Sequence, residues 1–205
     1  MRLYLLDVST GLDGPRYETW LGLVSPERRA VAARFHRHAD AQRSVAGEVL
    51  ARAVIAERVG TAPSALRFVR EKYGKLRVAG IKNAPEFSIS HSAALVACAV
   101  GRRPLGVDVE RILSPDAPLI KAVCTPGEQR FLSRGALPLP AAFTLLWTLK
   151  ESFLKASGVG IDDLPACPEF SPYIRKGVSW TFSVAGHDFY AMLQGEYAIS
   201  LCMRQ

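Results

Sequence analysis

Gly106-Val107-Asp108-Val109-Glu110 and, farther along, Trp147-Thr148-Leu149-Lys150-Glu151-Ser152-Phe153-Leu154-Lys155 are the two stretches that decide how this chain is read. In an extended strand alternate residues share a face, so Asp108 and Glu110 point the same way, about 7 Å apart. Val107 and Val109 then turn toward the packing on the other side. In a helix, residues four apart share a face, so Trp147, Glu151 and Lys155 form one ridge. Laid against the acidic face of the strand, that ridge gathers three carboxylates beside an ammonium. Like charges at 4 Å repel by roughly 4 kcal/mol at a surface-like dielectric, so such a cluster calls for a cation. Hard oxygen donors in small number suit Mg²⁺, with water and phosphate oxygens completing its shell and Mn²⁺ as an alternative. Each motif alone also has an ordinary reading. Asp-x-Glu can be a solvated strand edge, and Glu–Lys four apart a surface pair worth only about 0.3–0.5 kcal/mol. The apolar residues around both favour a site.

Working outward, the 205 residues suffice for one large domain or two small ones, and 49% are hydrophobic, so a sizeable core can be buried. No stretch approaches the roughly 18 apolar residues of a membrane span. The opening Met1-Arg2-Leu3-Tyr4-Leu5-Leu6-Asp7 turns acidic too soon for a signal peptide and reads as a first strand. Cys98, Cys124, Cys167 and Cys202 show no paired spacing, which predicts buried free thiols in a reducing cytoplasm. The net charge of +7 implies an anionic partner without naming it. Zinc-ligand spacing, an RNP-like aromatic strand and a lysine-rich tail are all missing, so nucleic acid is not expected to be that partner.

Helix punctuation organises the rest. Ser25 and Pro26 predict an N-cap and first helical position for a helix reaching about His36. Asp40 or Ala41 opens a long amphipathic helix, Ser44–Arg58, stopped by Gly60. Leu66–Val69 reads as a strand leading to the Tyr73-Gly74-Lys75 turn. Phe87–Ser90, Ala94–Val100 and Leu105–Glu110 read as further strands. Thr125-Pro126-Gly127-Glu128 carries an N-cap, a proline and a capping-box glutamate, and a helix Ala141–Ser157 ends at Gly158. Strands are expected near Val178–Val184, Asp188–Gln194 and Tyr197–Met203. The second half repeats the order of the first, which predicts two α+β lobes, 1–101 and 102–205.

The combined pattern resembles the 4′-phosphopantetheinyl transferase superfamily, specifically its bacterial surfactin-synthetase-activating (Sfp) type. Gly106, Asp108 and Glu110 match a Gly-x-Asp-x-Glu motif, and Trp147, Lys150, Glu151 and Lys155 match Trp-x-x-Lys-Glu-x-x-x-Lys. Ser25-Pro26-Glu27-Arg28-Arg29, Tyr73-Gly74-Lys75 and Phe87-Ser88-Ile89-Ser90-His91-Ser92 match earlier features. The resemblance implies an α+β fold of two similar lobes related by pseudo-twofold symmetry. It also implies transfer of 4′-phosphopantetheine from coenzyme A to a serine of an apo acyl or peptidyl carrier protein, with release of 3′,5′-ADP. Three departures stand out: Leu76 follows Gly74-Lys75 in place of a proline, Val31 replaces a second basic residue, and Ala93 replaces a glycine.

On this reading Asp108, Glu110 and Glu151 hold Mg²⁺ in the C-terminal lobe. Lys155 stabilises the β-phosphate or the departing diphosphate, and Glu151, besides ligating the metal, is also a candidate to take the serine proton, directly or through a water. Lys150, one position off the ridge, either meets a substrate phosphate or caps the helix surface. Trp147 packs and fixes the ridge. In the N-terminal lobe, Ser90 and His91 are implied to contact the nucleotide, particularly its 3′-phosphate. Arg70, Tyr73, Gly74 and Lys75 form a basic turn implied to cradle it, and Arg28, Arg43 and Ser44 add phosphate contacts. An apolar and basic strip with Arg111, Ile112, Leu119, Lys121 and Phe131 is the candidate carrier dock. The expected protein is a cytoplasmic monomer, away from membranes. The alternative is a non-catalytic protein that binds coenzyme A, a nucleotide or nucleic acid.

Overall fold

In the computed structural model, which describes residues 1–12 and 14–205, Arg2–Asp7 forms the first strand, β1. Helix α1 (Gly14–Leu23) follows, an element the sequence reading did not anticipate. Ser25 caps α2 (Pro26–Ala32): its hydroxyl accepts the Arg28 N–H at 3.1 Å, and Pro26 sits where no N–H is needed. This helix stops four residues before His36, and α3 (His38–Val59) starts six residues before Ser44. The turns at 33–37 account for both shifts, and Asp40 in the first turn of α3 complements the helix dipole. Gly60, at φ 70° and ψ 39°, ends α3 in a left-handed cap that other residues disfavour.

The hairpin β2 (Arg67–Arg70) and β3 (Leu76–Ala79) turns through Gly74 at φ +88°. Its second strand is too short to show in the sequence. Strands β4 (Glu86–Ser92) and β5 (Leu95–Gly101) complete the first half. Antiparallel pairing gives the order β1-β5-β4, with Leu3 opposite Ala99 and Ile89 opposite Cys98. Helix α3 buries Ala51 and Ile55 in one cluster with Phe87, Cys98 and Val100. A β-carbon at Gly47 would sit 3.0 Å from Ile89 Cγ2, so the small residue lets α3 lie close on the sheet.

The second half opens with β6 (Leu105–Arg111) and the short helix α4 (Ala117–Val123), which falls inside the strip read above as a carrier dock. Helix α5 (Pro126–Ser133) has the expected capping box: Thr125 and Glu128 each bond the other's backbone N–H. Helix α6 (Leu139–Ser157) ends at Gly158, φ 71°. Three strands follow, β7 (Ser179–Val184), β8 (His187–Gln194) and β9 (Tyr197–Arg204), in the sheet order β6-β9-β8-β7. Phe143, Leu145, Leu146 and Leu149 of α6 pack in one core with Phe170, Phe189, Ala191 and Cys202.

Met1–Arg103 and Pro104–Gln205 are two compact units. Each begins with a strand, carries helices ending in a long one stopped by a glycine, and closes with a strand paired antiparallel to its first. The repeat of pattern is therefore also a repeat of local structure. All four cysteines are free and buried. Among the described residues no helix is long and apolar enough to cross a membrane.

Candidate active site

The face of β6 that carries Gly106, Asp108 and Glu110 is the one that meets α6. A β-carbon on Gly106 would lie 2.0 Å from the Ser152 carbonyl oxygen, 2.7 Å from the Ala156 nitrogen and 2.8 Å from Lys155 Cβ. Only a residue without a side chain lets strand and helix backbones approach this closely. Two residues on, Asp108 is 2% exposed, and its Oδ1 accepts from Lys155 Nζ at 2.6 Å. Glu151, one turn back along α6, places Oε2 4.0 Å from the same ammonium. Asp108, Glu151 and Lys155 are thus brought together as the strand and helix periods predict. Glu110 shares their face of the strand and is half-buried.

Burial raises the Glu151 carboxyl above its ordinary value; Lys155 pulls it down and the Asp108 charge adds to the rise. The acids outnumber the nearby cation, and the site is largely withdrawn from water. Such a donor set fits a hard divalent cation. In this structure, however, the Lys155 ammonium sits among the acids. Among the described residues no group of three or more His, Cys, Asp or Glu is gathered as a metal cage. Of the three acids read from the sequence as metal donors, the structure draws Asp108 and Glu151 together around one ammonium.

Lys150 corrects the sequence reading. It does not face a phosphate site. It is 1% exposed and donates to Glu128 Oε2 at 2.8 Å, while Glu128 is itself fully buried. The one-position offset from the ridge turns this side chain about 100° away, into the core.

In the N-terminal unit, Arg28 and Ser44 meet each other: Arg28 Nη1 donates to Ser44 Oγ at 2.9 Å. Ser44 is 3% exposed and its hydroxyl accepts this bond, where the resemblance implied a phosphate contact. Arg28 Nε also pairs with Glu48 Oε2 at 3.1 Å. Glu48, which the sequence reading missed, further accepts the Ser25 N–H at 2.7 Å and Arg52 Nη2 at 2.9 Å. Burial alone would raise its carboxyl; the Ser25 N–H, Arg52 and Arg28 outweigh burial and hold it below its ordinary value. A Glu–Arg pair four apart on a long helix was the available signal, and it looks like any surface pair until its burial is known.

Arg43 Nη1 donates to the Ala93 carbonyl at 3.0 Å and its Nη2 to Asp40 Oδ1. Arg43 therefore braces the turn after Ser92, in which Ala93 adopts φ +49°. Just before that turn, Ser90 is buried and His91 exposed. In the hairpin, Arg70 Nη1 donates to the Gly74 carbonyl at 3.0 Å, and Lys75 Nζ lies 3.8 Å from Glu86 Oε2. Tyr73 is half exposed, with Lys72 Nζ 5.0 Å from its ring centroid. Of the strip read as a dock, Arg111, Leu119 and Lys121 are exposed, whereas Phe131 packs partly on its own core.

Comparison with known proteins gives the following matches. Residues 104–202 match the profile of the "4′-phosphopantetheinyl transferase superfamily", and residues 14–102 that of "4′-phosphopantetheinyl transferase, N-terminal". The 4′-phosphopantetheinyl transferase Sfp of Bacillus subtilis strain 168 is 32% identical over 162 residues, 78% of this chain and 72% of the relative. The 4′-phosphopantetheinyl transferase psf-1 of Bacillus pumilus is 38% identical over 188 residues, 89% of this chain and 79% of the relative. A solved holo-[acyl-carrier-protein] synthase from Thermotoga maritima overlaps 50% of this chain and 62% of its own, at 17% identity and a TM-score of 0.32.

This chain belongs to the 4′-phosphopantetheinyl transferase superfamily. Within it, the kinship is with the Sfp type.

Proposed function

We propose that this chain transfers the 4′-phosphopantetheine group of coenzyme A to a serine hydroxyl of an apo acyl or peptidyl carrier protein and releases 3′,5′-ADP. The contact of Lys155 with Asp108 beside Glu151, in a chain of this family, is the observation that carries the reading. The serine oxygen forms a bond to the β-phosphorus, the bond from that phosphorus to the bridging oxygen breaks, and the serine proton must be taken up. Catalysis of this kind rests on positioning and on neutralising charge.

Glu151 is the proposed acceptor of the serine proton, directly or through water; a carboxyl raised by burial holds a proton more readily than an ordinary one. Lys155 is the proposed cation for the charge that develops on the diphosphate, and Asp108 holds its ammonium in place. Asp108, Glu110 and Glu151 are the proposed donors to Mg²⁺, which when bound neutralises pyrophosphate charge.

For the N-terminal unit we propose the nucleotide contacts. Arg28 and Arg43 are fixed by Glu48 and by Ala93 and Asp40, and so present positive charge at little further entropic cost. Ser90, His91 and the turn Arg70, Tyr73, Gly74 and Lys75 belong to the same proposed set. The division of roles between Met1–Arg103 and Pro104–Gln205, the cytoplasmic setting and action as a monomer complete the reading.

The test is mass spectrometry of an apo carrier protein incubated with this chain, coenzyme A and Mg²⁺. The expected result is a gain of one phosphopantetheine group, lost on chelation of the metal and in Asp108→Ala. Full turnover by a folded Asp108→Ala variant defeats the site assignment.

A further inference from the structure

The buried pair of Glu128 and Lys150 has no part in the chemistry above, yet it joins three segments of the C-terminal unit. Glu128 Oε2 accepts from the Thr125 backbone N–H at 2.9 Å and from Lys150 Nζ at 2.8 Å. Glu128 Oε1 accepts from the Phe170 N–H at 3.2 Å. One carboxylate thus ties the start of α5, the middle of α6 and the segment before β7. It is fully buried and Lys150 is 1% exposed, so neither group is open to solvent.

Burying such a pair gains little stability over apolar residues of similar size. What it supplies is direction. Apolar side chains tolerate sliding, whereas an ammonium held at 2.8 Å from a carboxylate fixed by two backbone N–H groups does not. Lys150 precedes Glu151 by one helical step, so the angle at which Lys150 is held sets the angle of Glu151 and Lys155. A rotation of α6 by about 20° moves groups at its outer radius by roughly 2 Å. That is enough to part Lys155 from Asp108, now 2.6 Å away. On the opposite side of α6 the close approach at Gly106 limits translation toward the strand but leaves rotation to be fixed elsewhere.

We propose that Glu128 and Lys150 are positioning residues: their buried ion pair sets the rotation of α6 about its axis and so holds Glu151 and Lys155 against Asp108. This rests on the transfer reading for its functional consequence. A displacement of about 1 Å at reacting groups lowers turnover by up to about a hundredfold.

The test compares Lys150→Met, Glu128→Gln and the charge-neutral double variant Glu128→Gln/Lys150→Met in the carrier-modification assay. Each folded single variant is expected to lose at least about tenfold in kcat, with KM for coenzyme A within twofold of the parent. The double variant leaves no unpaired buried charge, so it folds even where a single variant does not. It is expected to be no slower than the poorer single, because both changes remove the same contact. A tenfold rise in KM confined to Lys150→Met would place the ammonium on the coenzyme and overturn the proposal. Parental kcat in the folded double variant, or losses that multiply, overturn it as well. If the parent chain itself modifies no carrier, it is the transfer reading that falls. The positioning role is then judged from backbone amide NMR shifts of Glu151–Lys155 in the double variant: movement supports the anchor, and unchanged shifts overturn it.

Discussion

Gly106 lies so close under Ser152 that a β-carbon on the glycine would come within 2.0 Å of the serine's carbonyl oxygen. The obstacle is main chain and cannot swing aside, unlike the tip of a flexible side chain. Strand β6 and helix α6 are therefore in near-backbone contact two residues before Asp108 and three before Lys155, whose charged atoms lie 2.6 Å apart.

Gly106→Ala must push β6 off α6. Overpacking of this kind costs about 1–3 kcal/mol, and it parts Lys155 from Asp108. The variant is expected to melt several degrees lower and to lose carrier modification even where it remains folded. Thermal unfolding with the transfer assay on the folded fraction checks both. Parental activity would mean that the close approach does not position the site.

Glu48→Gln should remove a pH dependence as well as stability. Because the Glu48 carboxyl lies below its ordinary value of 4.5, its stabilising contribution is complete above about that pH. It is lost as pH falls through the lower folded-state value. Parent and variant should differ clearly at pH 7 and converge on acidification below 4.5. Urea unfolding of both proteins across that range measures the gap; a gap that stays constant with pH rules out the buried arginine cluster as its source.

Ala93→Gly is expected to stabilise. A left-handed conformation costs an L-residue about 1–2 kcal/mol, and glycine returns about 0.4–1 kcal/mol of that as unfolded-state entropy. With Ala93 at φ +49° the net gain should be about 0.5–1 kcal/mol, read as a higher urea midpoint at unchanged slope. Since Arg43 binds the backbone carbonyl, the change leaves that brace intact.

Burial pushes the Cys98 and Cys124 thiols up to about 12 and that of Cys167 to about 11. At pH 8 almost no thiolate is present at these positions, and the thiolate is the reactive form. A disulfide reagent should leave all three unmodified in the native protein and react with them after denaturation. Rapid modification of any of them without denaturant would show that its segment opens locally.

How much of this was legible beforehand depends on the range of the interaction involved. Ser25-Pro26, Thr125-Pro126-Gly127-Glu128, Gly60 and Gly158 marked helix ends in the sequence, because caps are made by residues one to four positions apart. The alternation of Gly106–Glu110 and the helical spacing of Glu151 and Lys155 likewise put the acids and the ammonium on facing surfaces. The first helix and the strand Leu76–Ala79, only four residues long, were not read. Nor was the helix Ala117–Val123, although Asp116 caps it through the Leu119 N–H at 2.8 Å and Pro118 sits in its first turn, a local signal passed over.

By itself, then, the sequence determined the family, the two-part order of elements and which side chains lie on the acidic ridge, all of which follow from covalent spacing and backbone period. The tertiary structure alone decided that Lys150 turns inward to Glu128, that Ser44 is spent on Arg28, and that Gly106 serves as the seat of α6. Those outcomes depend on distances between segments far apart in the chain and on exclusion of water. A linear spacing carries neither quantity.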